Sequence, residues 1–179
     1  MAPVLLLLLA AGLLSANAAL DPKVETAARV DAIVVVAGVK DDRYVHARRL
    51  AESGISDRIL VSRPPTFTGR YATAIDSYCD TTPVTRDGRI IGIECFTPDF
   101  DTTEGEATAA SRIARERGYE SLQVVTYWGH VSRVRTYFEQ CFDGNLYVTD
   151  TPEPIQISRA RALLHETGGY VKTFIRPAC

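Results

Sequence analysis

Leu122-Gln-Val-Val-Thr-Tyr-Trp-Gly-His130-Val-Ser-Arg133 is the stretch whose reading decides the fold. Leu122 to Val125 form an apolar run that suits a buried strand. Trp128 and Gly129 make a turn. Val131, Val134, Tyr137 and Phe138 then recur at the spacing of one helix face. His130 falls at the mouth of that helix, and Arg133 lies about one turn further along the same face. A helix start offers unpaired N–H groups and partial positive charge. With a histidine and an arginine added, such a place suits an anionic ligand, so the functional site is expected here.

The same alternation extends outward. Asp31-Ala-Ile-Val-Val-Val-Ala37 is a continuous apolar run ended by Gly38, as expected of a strand covered on both faces. Asp41 and Asp42 open a helix that reaches Ser53, with Tyr44, Ala47, Leu50 and Ala51 inward and Gly54 as its stop. Arg58 to Ser62 is a second strand, broken off by Pro64-Pro65. The long stretch to Gly88 holds a short helix over Tyr71 to Tyr78. Arg89 to Cys95 is a third strand. Thr102 or Thr103 caps the next helix, with Glu104 and Glu106 in its first turn. After the His130 helix come a short strand, Asn145 to Thr149, and a bend at Pro152 and Pro154. A final helix runs from Ile157 to Phe174 and is weakened by Gly168-Gly169.

Strands alternating with helices predict an α/β domain with an open, mostly parallel five-stranded sheet and helices on both faces. The site of such a fold lies outside the carboxyl ends of the strands. Those ends hold Gly38, Ser62, Cys95, Thr126 and Asp150, and the segments just beyond add Arg43, Arg63, Thr103, His130 and Arg133.

The 179 residues suffice for one domain with a sizeable core. Nearly half are apolar and the formal net charge is −2, which argues against a nucleic-acid binder. No block of like charge supports an electrostatic membrane patch. Val4 to Leu14 is apolar throughout apart from Gly12, and Ser15-Ala-Asn-Ala18 follows. This is the pattern of a secretory leader over residues 1–18, cut after Ala18, although no Lys or Arg precedes the apolar run. The other reading is an uncleaved anchor, since Ala2 to Leu20 is almost long enough to span a membrane. Membrane contact is expected only through this segment, if it stays uncleaved. Residues 19–30 form a polar lead-in and 31–179 the domain, which either way lies outside the cytoplasm.

Cys79, Cys95, Cys141 and Cys179 fit an exported domain with two disulfides, for which three pairings exist. Cys79 with Cys95 is the expected pair because the two bracket one loop. Cys141 with Cys179 would then tie down the tail. There is no C-x-x-C or Cys/His cluster to suggest zinc, and no phosphate-binding glycine motif.

Asp31 to Gly38 resembles the opening strand of the YdcF-like family, which is related to the SanA proteins. Arg43 with Ala47, Leu50 and Gly54 is similar to its first helix, and Ile59-Leu-Val-Ser62 to its second strand. Thr103-Glu-Gly-Glu-Ala107 is similar to its Thr-x-x-Glu/Asn-Ala helix start. Val124-Val-Thr-Tyr-Trp-Gly-His-Val-Ser-Arg133 resembles its Val-Thr-Ser-x-x-His-x-x-Arg-Ala segment. Three departures stand out: one glycine after the first strand rather than two, Arg63-Pro64 where many members have glycine, and Tyr127 for a usual serine. The resemblance covers about residues 31–174. It implies a Rossmann-like three-layer fold, a role at the cell envelope, and a nucleotide-like ligand such as S-adenosylmethionine.

His130 is expected to act as a general acid/base or to donate to an anion, the alternative being a helix cap. Arg133 would clamp phosphate or carboxylate, or else pair with Glu106 or another surface acid. Arg43, Gly38, Ser62, Thr103, Glu106 and Thr126 are further ligand-binding candidates. All of these but Gly38 have a bland alternative: a solvated arginine, an ordinary helix start, or hydroxyls that satisfy backbone. His46 and His165 read as surface histidines. One functional expectation is a hydrolase or transferase acting on a phosphate-bearing envelope intermediate. The other is a non-catalytic module that holds a small anionic ligand or an envelope partner.

Overall fold

The apolar runs within residues 32–36, 59–61 and 122–125 become the buried central strands because helices and the lead-in cover them on both faces. The chain order is β1 (Ala32–Val35), α1 (Arg43–Glu52), β2 (Arg58–Ser62), α2 (Arg70–Cys79), β3 (Gly92–Phe96), α3 (Thr103–Glu116), β4 (Ser121–Thr126), α4 (Val131–Cys141), β5 (Asn145–Asp150) and α5 (Arg159–Ile175). A 3₁₀ turn at Trp128–His130 joins β4 to α4. The structure, a computed structural model, describes residues 12, 18, 20–38, 41–85, 87–152 and 159–179, without the side chains of 159–164. Nearly all of the expected leader, the bend at Pro154 and the helix start at Ile157 lie outside the described residues. Among the described residues no helix is long and apolar enough to cross a membrane.

The sheet order is β3-β2-β1-β4-β5. Every pairing is parallel, so the sheet is wholly rather than mostly parallel. Residues of alternating parity face opposite layers. Ala32, Val34, Val36, Leu122, Val124 and Val148 pack in the core with Ala107, Ala110, Val131, Val134 and Phe138 of α3 and α4. Ile33, Val35, Ile59, Val61 and Val125 pack with Ala47 and Ala51 of α1 and Ile75 of α2. This is the three-layer, Rossmann-like sandwich. The chain reverses direction across the sheet between β1 and β4, which opens a crevice at their carboxyl ends.

The polar lead-in is structural. Gln123 on β4 is fully buried, and its side chain accepts from the Ala27 N–H at 2.9 Å and donates to the Glu25 carbonyl at 3.0 Å. Glu25 N–H also donates to the Val148 carbonyl at 2.8 Å. Residues 25–30 thereby cover β4 and β5 on the α1 face. Cys79–Cys95 ties α2 to β3, with Cα atoms 5.9 Å apart. Cys141–Cys179 ties the end of α4 to the tail, with Cα atoms 5.2 Å apart.

Two local expectations are corrected. β3 starts at Gly92, not Arg89, because Ile90 bridges Val84 and the Ile91 N–H goes to the Pro83 carbonyl, folding the start of that run into a small hairpin. α1 starts at Arg43, so Asp41 and Asp42 precede its first turn. α5 runs through Gly168-Gly169 as the one final helix expected.

Candidate functional site

The crevice contains a cleft of about 350 Å³. His130 and Arg133 line it from the β4–α4 side. Asp101, Thr103, Glu104 and Glu106 line it from the start of α3, and His165, Gly169 and Lys172 from α5. Thus four predicted residues, His130, Arg133, Thr103 and Glu106, meet in one hollow. Gly38, Arg43, Ser62 and Thr126 lie beneath or behind its walls.

β4 ends at Thr126, and the 3₁₀ turn swings His130 back over that end. Both ring nitrogens are held. Thr126 Oγ1 lies 3.0 Å from Nδ1 and Thr103 Oγ1 lies 3.0 Å from Nε2. His130 is 6% exposed. Burial pushes its pKa well below the ordinary imidazole value, and the positive charges of Arg133 and Arg43 push the same way. The imidazole is therefore neutral at physiological pH. Burial, rather than the partial charge of the helix start, leads this shift.

Glu106 moves in the opposite direction. It is buried on the first turns of α3, and burial raises its pKa. The Ala37 N–H, which donates to Oε1 at 2.7 Å, opposes the shift, as do the charges of Arg43 and Arg133. The buried Ser62 hydroxyl stands beside this carboxyl without a well-formed hydrogen bond. A histidine and a carboxyl displaced in opposite senses within one cleft are a recognised mark of a functional site.

Arg133 is not paired with Glu106. Its Nε donates to Oε2 of Glu166 on α5 at 2.8 Å, with a longer contact of 3.4 Å from Nη2 to Oε1. Glu166 is 2% exposed and also accepts from the Tyr127 hydroxyl; His165 Nδ1 lies 3.1 Å from its Oε1. Tyr127 thus orients the acid that holds Arg133. Gly169 has a related role: a Cβ there would lie 2.7 Å from Arg133 Cδ, so the glycine lets the arginine lie against α5.

Arg43 is not a solvated arginine. It is 2% exposed, and its guanidinium donates to Asp41 Oδ1 at 2.7 Å and to the carbonyls of Val36 and Ala37 at 2.8 and 2.9 Å. The same group fills the space that a Cβ on Gly38 would need. The Ala37 N–H is taken by Glu106, and the Gly38 N–H points to the Tyr44 hydroxyl at 3.4 Å. A nucleotide-binding fold normally offers these amides to a phosphate. Here the described part of the β1 turn satisfies them internally, so the open donors lie on the α3, α4 and α5 side.

His46 is half-buried and His165 exposed. Lys172, Glu166 and Asp101 were not foreseen as site residues. Glu166, Gly169 and Lys172 recur every third residue, and that spacing on one helix face was the available signal. Among the described residues Lys172 has no ion-pair partner, and no cluster of His, Cys, Asp and Glu could hold a metal. Comparison with protein-family models, with curated proteins and with solved structures finds no match for this chain.

Proposed function

We propose that the cleft binds a small ligand bearing phosphate or a similar anion, and that His130 moves a proton on it. The observation that carries this reading is one hollow at the strand-order reversal, shared by the neutral His130 and by Arg133 and Lys172. The two cations would take the anion. Asp101, Glu104 and Glu106 on the opposite wall would accept from hydroxyl or amine donors elsewhere on the ligand. A phosphorylated sugar or a nucleotide-like molecule has both parts, and S-adenosylmethionine has an anion and an amine. The two disulfides fit an oxidising, extracytoplasmic setting. Together with the likeness to YdcF-like proteins, they support an exported hydrolase or transferase working on a cell-envelope intermediate.

A second reading is a non-catalytic binding module. What favours it is that both nitrogens of His130 are already engaged and that Glu166 already holds Arg133. A thermal-shift screen of phosphorylated sugars, nucleotides and S-adenosylmethionine tests the shared claim. An enzyme keeps binding but loses turnover in His130→Ala. A binding module loses affinity chiefly in Arg133→Ala. A midpoint unmoved by every ligand in the wild type would remove the small-ligand reading.

A further inference from the structure

We propose that Thr103 is a nucleophile, attacking the phosphorus of a phosphoester seated in the cleft. The inference rests on the reading of the cleft as an anion site and adds the reacting atom. Three side chains form a line from the closed interior to the opening. Thr126 stands at the sealed end of β4, His130 in the middle, and Thr103 on the cleft wall, with both links 3.0 Å long and buried. A neutral imidazole has one donor nitrogen and one acceptor. With Nδ1–H donating to Thr126, Nε2 accepts the Thr103 O–H, which is how a general base meets a nucleophile.

Helix capping does not use the Thr103 hydroxyl. Thr102 is the cap, accepting the Gly105 N–H at 3.1 Å. Thr103 is the first residue of α3, and among the described residues the N–H groups of Thr103 and Glu104 meet no acceptor. These donors stand next to the hydroxyl, where phosphoryl oxygens would gather charge. Arg133 and Lys172 supply the remaining positive charge from across the cleft. A bound phosphate would also offset the Arg133 charge that disfavours the imidazolium, so substrate strengthens the base it needs.

The step balances without a co-reactant other than water. The Thr103 proton passes to His130 Nε2 as the Oγ–P bond forms. The P–O bond to the leaving alcohol breaks, and that alkoxide takes the proton from Nε2. Water then attacks the phosphothreonine with His130 as base, releasing phosphate and restoring the hydroxyl.

The test uses the full disulfide-bonded chain with a fluorophosphonate probe, intact-mass analysis and peptide mapping. One adduct on Thr103 is expected. Thr103→Val should abolish it, Thr103→Ser should retain it, and His130→Gln should slow it by about a hundredfold. No adduct in the wild type, or an adduct mapped to another residue, overturns the proposal. Should Thr103→Val fail to fold, the wild-type map and the Thr103→Ser rate still decide. Phosphate binding that depends on Arg133 is measured in parallel. Binding without labelling leaves the anion site standing and removes the nucleophile, whereas loss of both removes both.

Discussion

Replacing His130 with glutamine should make the fold less sensitive to acid. In the unfolded chain the imidazole titrates near about pH 6.5. In the native state it is buried between Thr103 and Thr126, with Arg133, Arg43 and His165 contributing positive charge around it, and its pKa is strongly lowered. Below about pH 6.5 the unfolded state therefore binds a proton that the folded state refuses, and stability falls as pH falls. The contribution is fully present above the unfolded pKa and lost on the acid side. While native His130 stays neutral, the linkage relation gives a loss of about 2 kcal/mol by pH 5. For a chain of this size that loss lowers Tm by about 4–8 °C, and the His130→Gln variant should be spared it. Glu106 has the opposite sign: its raised pKa gives stability that fades as pH rises. It is common to both proteins, so the difference between them isolates His130. The assay is thermal unfolding of wild type and His130→Gln at several pH values from 7.5 to 5. Parallel curves would show that His130 protonates in the native state, and the neutral-imidazole reasoning would be wrong.

The two adjacent glycines of α5 should respond with opposite signs to alanine. Gly168→Ala meets no neighbouring atom and should raise stability by about 0.5–1 kcal/mol, whereas Gly169→Ala drives a Cβ against Arg133 and should lower Tm. Glu166→Gln should lower Tm by removing the acid that holds Arg133, yet tighten phosphate binding in calorimetry because the arginine loses its internal competitor. Loop-closure entropy predicts that replacing both Cys141 and Cys179 by alanine costs about 4 kcal/mol and replacing Cys79 and Cys95 about 3 kcal/mol, measured by denaturant unfolding.

The layers were legible because strand and helix periods differ so plainly. Residues 32–36 and 122–125 hold the apolar runs, and Val131, Val134 and Phe138 mark one helix face. The cysteine bracket around the α2–β3 loop also told its own pairing. What stayed hidden depends on tertiary neighbours. Nothing local in Asp41-Asp42-Arg43 says that the arginine turns inward to Asp41 and two strand-end carbonyls. Glu166 lies 33 residues beyond Arg133, so only the packing of α5 on α4 joins them. The start of β3 was misplaced because Ile90 is apolar yet exposed in a hairpin. His130 and Thr103 could each be named from sequence, but their 3.0 Å contact follows from the crossover that returns α3 to the centre of the sheet.

Isothermal titration of a phosphorylated sugar or nucleotide, first identified by thermal shift, into wild type, Arg133→Ala and Lys172→Ala puts the shared hollow to the most direct trial. Saturable binding by the wild type is predicted, weakened about tenfold or more in each variant, as loss of a charged hydrogen bond implies. Equal affinity in all three proteins would contradict it, because the anion would then be held somewhere other than between α4 and α5.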